Sequence, residues 1–263
     1  MAYYSGAQVN AAGSLIGILD TELVKNANWT IYDDSVGANN KTYKCGVTGG
    51  ECYLNVADNQ TNYATVNLWE GWDAVGHAGT GASTGSWITI YWRKTTGNYM
   101  IHLEDERVIY SCFGTNLNYS HFAGNVERFS PAYNTPILVG QRSTSTTSNN
   151  PLGHGGTTSG IGWAGIFVGR SHAFNACCSY FDLPGPAAGS YLIWKEKNLG
   201  RYIQENLVAN SGYSKLIGIM RGVQSLGASN YLMHGISHGD TVTIGGDTWD
   251  CHGGNQLALI KRA

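Results

Sequence analysis

Apolar and polar side chains alternate with a period of two over most of this chain, and that alternation limits its folds more than any single motif does. It runs through Trp29-Thr30-Ile31-Tyr32, Lys41-Thr42-Tyr43-Lys44-Cys45, Glu51-Cys52-Tyr53-Leu54-Asn55-Val56 and Tyr63-Ala64-Thr65-Val66-Asn67-Leu68-Trp69. Successive residues of a strand face opposite sides of a sheet, so each run can turn one face to a core. Ser86–Trp92, Tyr99–Leu103 and Arg107–Phe113 read as a three-stranded meander, with turns at Thr95-Thr96-Gly97-Asn98 and Glu104-Asp105-Glu106. Near the end, Thr241–Cys251 runs into Gln256–Arg262 as a hairpin turning at Gly245-Gly246. Strands at this spacing, with no long helices between them, predict a mainly β fold: an antiparallel β-sandwich or jelly-roll-like sheet pair.

One segment breaks the alternation. Between Ser14 and Lys25, Leu15, Ile16, Leu19 and Leu23 recur at helical spacing beside Ile18 and Val24, with Ser14 placed as an N-cap. This predicts a short amphipathic helix whose stripe is buried either in the domain's own core or against a neighbouring subunit. The expected organisation is an arm and helix over 1–26 and a β-sandwich body over 27–140. A polar Ser/Thr/Gly-rich loop follows over 141–160, and a C-terminal β part over 161–263. The β part and the body form one continuous architecture or two domains.

The formal charge of −2, with Lys and Arg scattered, gives no electrostatic footprint for a nucleic-acid partner. No run approaches 18 apolar residues, so no membrane-spanning helix is expected. The N-terminus lacks the basic and apolar regions of a signal peptide, and folding in a cytoplasm is the expectation. Six cysteines in such a compartment read as reduced thiols, catalytic groups or metal ligands.

Residues able to carry chemistry are few. Cys45 and Cys52 bracket a turn and face each other if it is a hairpin; a bridge would need matching side-chain directions and Cα atoms about 5.5 Å apart. Cys177 and Cys178 are adjacent and point to opposite sides of an extended segment, so one packs inward while the other reaches a partner, or both are buried. Cys112 and Cys251 complete the candidate disulfide set. His234, His238, Cys251 and His252 offer zinc-type ligand atoms, but the glycines between the first two argue against a helix presenting both, so no metal or other cofactor is assigned. His77, His102, His121, His154 and His172 stand alone and read as hydrogen-bonding residues.

Trp69-Glu70-Gly71-Trp72-Asp73, followed by His77, places two acids near a histidine, but sequence spacing cannot set the carboxylate separation that glycoside hydrolysis needs. Gly153-His154-Gly155-Gly156 carries little weight on its own. No catalytic residue is assigned. Trp87, Tyr91 and Trp92 read as two-sided core packing rather than a sugar-stacking platform.

Met1–Gly6, Trp29-Thr30-Ile31-Tyr32-Asp33, Trp69–Ser83, Glu127-Arg128-Phe129-Ser130-Pro131 and Thr241–Arg262, in that order, resemble a family of structural proteins of tailed-bacteriophage virions. The resemblance implies a non-enzymatic component of the neck (collar), tail or baseplate. Such a component is assembled in the host cytoplasm into the virion and is present as a cyclic homo-oligomer bound to other virion proteins. On that implication, surface cysteines would crosslink the assembly after lysis into an oxidising medium. The alternatives are a receptor-binding or carbohydrate-binding module directed at host-surface glycans, and a capsid decoration protein.

Overall fold

The structure is a computed structural model of the chain. It describes residues 2–46, 51–80, 90–114, 118–125, 127–128, 137–141, 164–168, 178–179, 195–196, 201–202, 207–210, 216–220, 223–227, 239–244, 246–252 and 257–262. β1 (Ala2–Gln8) leads into α1 (Ser14–Glu22) and a single 3-10 turn at Leu23–Lys25. Then come β2 (Trp29–Gly37), β3 (Asn40–Cys45), β4 (Cys52–Ala57) and β5 (Tyr63–Trp69). A small hairpin of β6 (Gly71–Asp73) and β7 (Ala78–Thr80) precedes β8 (Ile90–Arg93), β9 (Gly97–Leu103), β10 (Arg107–Phe113) and β11 (Asn118–Gly124). Next are β12 (Glu127–Arg128), β13 (Ile137–Gln141), β14 (Ala164–Val168), β15 (Cys178–Ser179), β16 (Lys195–Glu196) and β17 (Arg201–Tyr202). β18 (Leu207–Asn210), β19 (Leu216–Met220), β20 (Val223–Gly227), β21 (Thr241–Ile244), β22 (Asp247–His252) and β23 (Leu257–Lys261) complete the order.

The chain is mainly antiparallel β with a short N-terminal helix, as the alternation predicts. The principal sheet has 11 strands, ordered β1-β9-β10-β11-β13-β8-β5-β4-β3-β2, with β14 also pairing β13. A four-stranded C-terminal sheet is ordered β20-β23-β22-β21, and Gly246 takes φ 90° in the expected turn between β21 and β22. A second four-stranded sheet, β12-β19-β18-β15, and the β16–β17 pair account for most of the remaining strands.

The principal sheet cannot lie flat. Tyr43 on β3 donates its hydroxyl to Asp20 Oδ1 at 2.9 Å, and Tyr99 on β9 donates to Glu22 Oε1 at 2.8 Å. These strands lie seven positions apart in the sheet order, or about 33 Å in a flat sheet at the usual strand spacing. A helix is only about 10–12 Å across with its side chains. The sheet therefore curls until both ends meet α1. On one side of that seam, Trp29 donates its indole N–H to Glu104 O at 2.8 Å and Asn26 donates to Asp105 Oδ1 at 3.1 Å. Leu15, Ile16, Leu19 and Leu23 enter the enclosed core with Tyr43, Leu54, Val66, Trp92, Ile101 and Tyr110. Of the two readings of the helical stripe, burial in the domain's own core is the one observed.

Three expectations are corrected. Ser14 does not cap α1: Gly13 occupies the cap position with φ 78°. The first turn is instead closed from the β4–β5 loop, where Asp58 Oδ2 accepts from Leu15 N at 2.8 Å and Ile16 N at 3.3 Å. Residues 1–26 are no separate arm, because β1 pairs with β9 along its whole length and α1 fills the core. Nor do the strands near 90, 100 and 110 form a meander, since β8 lies between β5 and β13 while β9 lies between β1 and β10. Lys94 is the physical reason. Its ammonium is fully buried against Asp58 and also donates to Ala11 O at 2.6 Å and Gln60 O at 2.7 Å, drawing the chain across the end of the core. Gly97 then turns at φ 151° against the Phe113 carbonyl, where a Cβ would clash. The expected 141–160 loop lies, apart from Gln141, outside the described residues.

Removing one member of a buried ion pair leaves the other charge uncompensated, at a cost of about 3–5 kcal/mol. Lys94→Met is expected to lower unfolding stability by that amount, read from urea midpoints at constant m. A loss below about 1 kcal/mol would contradict the role given to this pair.

Candidate functional site

Two clusters of polar groups stand out, one at the surface and one buried. The surface cluster is built on the W-E-G-W-D segment. After Trp69 the chain reverses through the β6–β7 hairpin, and Gly79 passes so close to the Trp69 ring that a Cβ would fall inside it. Asp73 Oδ1 accepts from Val75 N at 2.9 Å, which shapes the tip, and His77 closes it in the left-handed region at φ 50°. Backbone hydrogen bonds from Gly76 and Val75 hold the Asp73 carboxyl below its usual range.

The hairpin is seated on β2 through Asp33. Asp33 Oδ2 accepts from Trp72 Nε1 at 2.8 Å and contacts His77 Nδ1 at 2.9 Å. Asp33 Oδ1 accepts from Ser35 N at 3.1 Å and Ser35 Oγ at 2.7 Å. Burial alone would raise this carboxyl, but hydrogen bonds from His77, Trp72 and Ser35 hold it well below the usual carboxylate range. The β2–β3 register shifts on either side of Asp33, which is buried in a strand whose other residues beyond Trp29 are exposed. Ile31, Tyr32 and Val36 remain exposed on β2, and Val75 at the hairpin tip is 92% exposed. Tyr32 packs edge-on against Tyr53 at 5.1 Å.

This arrangement is not that of a serine triad. In a serine triad the histidine lies between hydroxyl and carboxylate. Here the carboxylate lies between Ser35 and His77, so His77 is not placed to take the Ser35 proton. Asp73 serves its own turn. Trp72 is half-buried, with its N–H committed to Asp33.

The buried cluster joins the principal and C-terminal sheets. His102 faces away from the main core, as alternation along β9 requires, and its Nε2 meets Asp250 Oδ2 at 3.2 Å across 148 residues of sequence. Arg262 Nε donates to Asp250 Oδ1 at 2.9 Å and Oδ2 at 2.8 Å, and Nη2 donates to Oδ1 at 2.5 Å. The guanidinium lies 4.5 Å over the Tyr3 ring, and Tyr3 packs edge-on against His102 at 5.2 Å. His252 shares the Asp250 face of β22 and lies 5.7 Å from the His102 ring. Burial lowers the His102 pKa, with Asp250 opposing the shift. Burial would raise Asp250, but hydrogen bonds from His102 and Arg262 hold it well below the usual range.

His102, Asp250 and His252 bring their ligand atoms within 4.8 Å of one another, a donor set suited to a first-row divalent cation. Charge argues against that use. Arg262 already neutralises Asp250 and engages both of its oxygens, so a dication would add two uncompensated charges to a buried site. The cluster is better explained as a polar staple holding β22 and β23 to β9 and β1. His234 and His238 lie outside the described residues, whereas Cys251 and His252 alternate to opposite faces of β22.

Of the two readings of the cysteines, buried or reaching a partner, burial is the one observed for the four whose side chains are described. Cys45, Cys52, Cys112 and Cys251 form no disulfide and are buried, so they cannot reach a partner chain from these positions. Burial pushes the Cys112 and Cys251 thiols up to about 12, leaving them poor nucleophiles at neutral pH. Cys177 lies outside the described residues, and only the backbone of Cys178 is described, in β15. Trp92 is core, as expected, and stacks 5.7 Å from His121. Trp87, His154 and His172 lie outside the described residues. Comparison with known proteins finds no matching family model and no curated protein that matches significantly.

His121 sets an acid limit on the fold. Its Nε2 accepts from Arg93 N at 2.9 Å, and burial foremost, with Arg93 nearby, lowers its pKa to about 3. The folded pKa lies below the unfolded value of about 6.5. Its stabilising effect is therefore complete above about pH 6.5 and is lost as pH falls toward 3, by up to ~1.4 kcal/mol per pH unit. His121→Asn is expected to flatten the acid limb of stability against pH by up to one proton between pH 4 and 6, measured by urea unfolding. Parallel limbs for the two proteins would contradict this assignment.

Proposed function

We propose that this chain is a non-enzymatic structural component of a tailed-phage particle, of the neck, tail or baseplate, acting as a subunit-interface module in a ring of copies. The observation that carries the reading is the β6–β7 hairpin, which displays an exposed apolar tip braced by hydrogen bonds at its base. Val75 is 92% exposed, yet the Asp73 turn and the Trp72–Asp33–His77 contacts beneath it define the loop. An apolar contact presented on a preorganised loop loses little conformational entropy on association, which favours assembly. Ile31, Tyr32 and Val36 extend the apolar surface along β2. The order of the segments that resemble tailed-phage virion proteins is consistent with the same reading. The commitment of Trp72 to Asp33 weighs against the glycan-binding alternative at that residue.

Val75→Asp places a charge at the tip without touching the core. It is expected to leave the melting temperature unchanged and to weaken self-association or particle incorporation by tenfold or more, read by sedimentation velocity and quantitative immunoblotting of purified particles. Unchanged association and incorporation for both Val75→Asp and Tyr32→Asp would refute the interface reading.

A further inference from the structure

Cys45 and Cys52 are register partners on β3 and β4, and both side chains are fully buried. Strand geometry fixes the kind of pair they make. Gly46 N donates to Asn28 O at 2.5 Å, so Gly46 points its backbone groups toward β2, and those of Cys45 point toward β4. The two cysteines therefore form a pair that exchanges both backbone hydrogen bonds, with a typical Cα separation of about 5.5 Å. Directly opposed side chains lie on one face, and this Cα separation falls within the range of about 4.4–6.8 Å that a disulfide spans; the Cβ atoms of such a pair lie about 5.5 Å apart against the roughly 3.5–4.5 Å of a disulfide, so closure requires the two strands to shift locally. The thiols already meet: hydrogen bonding to Cys45, together with burial, raises the Cys52 pKa, and Cys45 Sγ donates to Asp105 O at 2.9 Å.

We propose that Cys45 and Cys52 are a redox modification site, a cross-strand dithiol that closes into an intramolecular disulfide on meeting a small-molecule disulfide such as oxidised glutathione. The thiolate of one cysteine attacks a glutathione sulfur, forming a mixed disulfide and releasing one glutathione thiolate. The second cysteine, as its thiolate, attacks the protein sulfur of that mixed disulfide, forming the Cys45–Cys52 bond and releasing the second glutathione. The protein loses two electrons and two protons, and the small disulfide gains them as two thiols. Burial makes the first attack depend on opening of the hairpin, so closure is slower than for an exposed thiol pair. The bond ties β3 to β4 beside the seam where Trp29 and Asn26 reach the Glu104–Glu106 turn. This geometry is the same whether or not the chain belongs to a particle.

The test is peptide mapping of the full-length reduced protein after incubation with oxidised glutathione, both in buffer and just below the melting midpoint. The protein is then alkylated under denaturing conditions and digested without reduction. The expected product is a Cys45–Cys52 linked peptide lighter by two hydrogens, with Cys112 and Cys251 alkylated. The oxidised protein is expected to have an unfolding constant roughly tenfold smaller or less, and Cys45→Ser is expected to leave Cys52 as a glutathione adduct. Persistence of both thiols just below the midpoint, separate glutathione adducts on both cysteines, or pairing of either with another cysteine would overturn the proposal.

Discussion

The buried contact between Lys94 and Asp58 is the constraint on which the architecture depends. An ammonium has three donors, and here each has an acceptor: Asp58, Ala11 O and Gln60 O. The other Asp58 oxygen closes the first turn of α1. One pair of charges thus joins the end of β8, the β4–β5 loop and the start of the helix. Burial raises the Asp58 pKa while Lys94 and the helix amides oppose the shift. With the chain held there, β9 reaches the free edge at β1, and the sheet closes around the helix.

The elements were more legible in the sequence than their arrangement. The Leu15–Leu23 stripe located the helix because helical periodicity is local, and α1 with its 3-10 turn spans the expected residues. The strand runs were legible for the same reason, including the C-terminal hairpin. Pairing was not. Placing β9 beside β1 depends on Lys94 reaching Asp58, 36 residues away, and no local pattern marks that contact. The helix cap was misassigned because the local candidate, Ser14, turns its hydroxyl to Ala11 O while a distant aspartate accepts the helix amides.

The candidate sites divide along the same line. Asp250 and His252 share a face by simple alternation, so half of the buried cluster was available from the sequence; His102 and Arg262 join it only through tertiary packing. In the W-E-G-W-D segment, the acids and histidine suggested chemistry by proximity, but the partner that organises Trp72 and His77 is Asp33, some 40 residues earlier. The Cys45–Cys52 pairing was legible because it lies within one hairpin.

Together these features give a body whose buried ionisable groups serve internal cohesion, with apolar contacts displayed on β2 and the hairpin seated on it. Such a division suits a protein that works by being bound in place. The most direct measurement is quantitative mass spectrometry of gradient-purified particles from the source lysate. The account predicts this chain in the particle fraction at a fixed, stoichiometric ratio to the other virion proteins. Its absence from particles, with abundant chain in the soluble lysate, would contradict the structural-component reading.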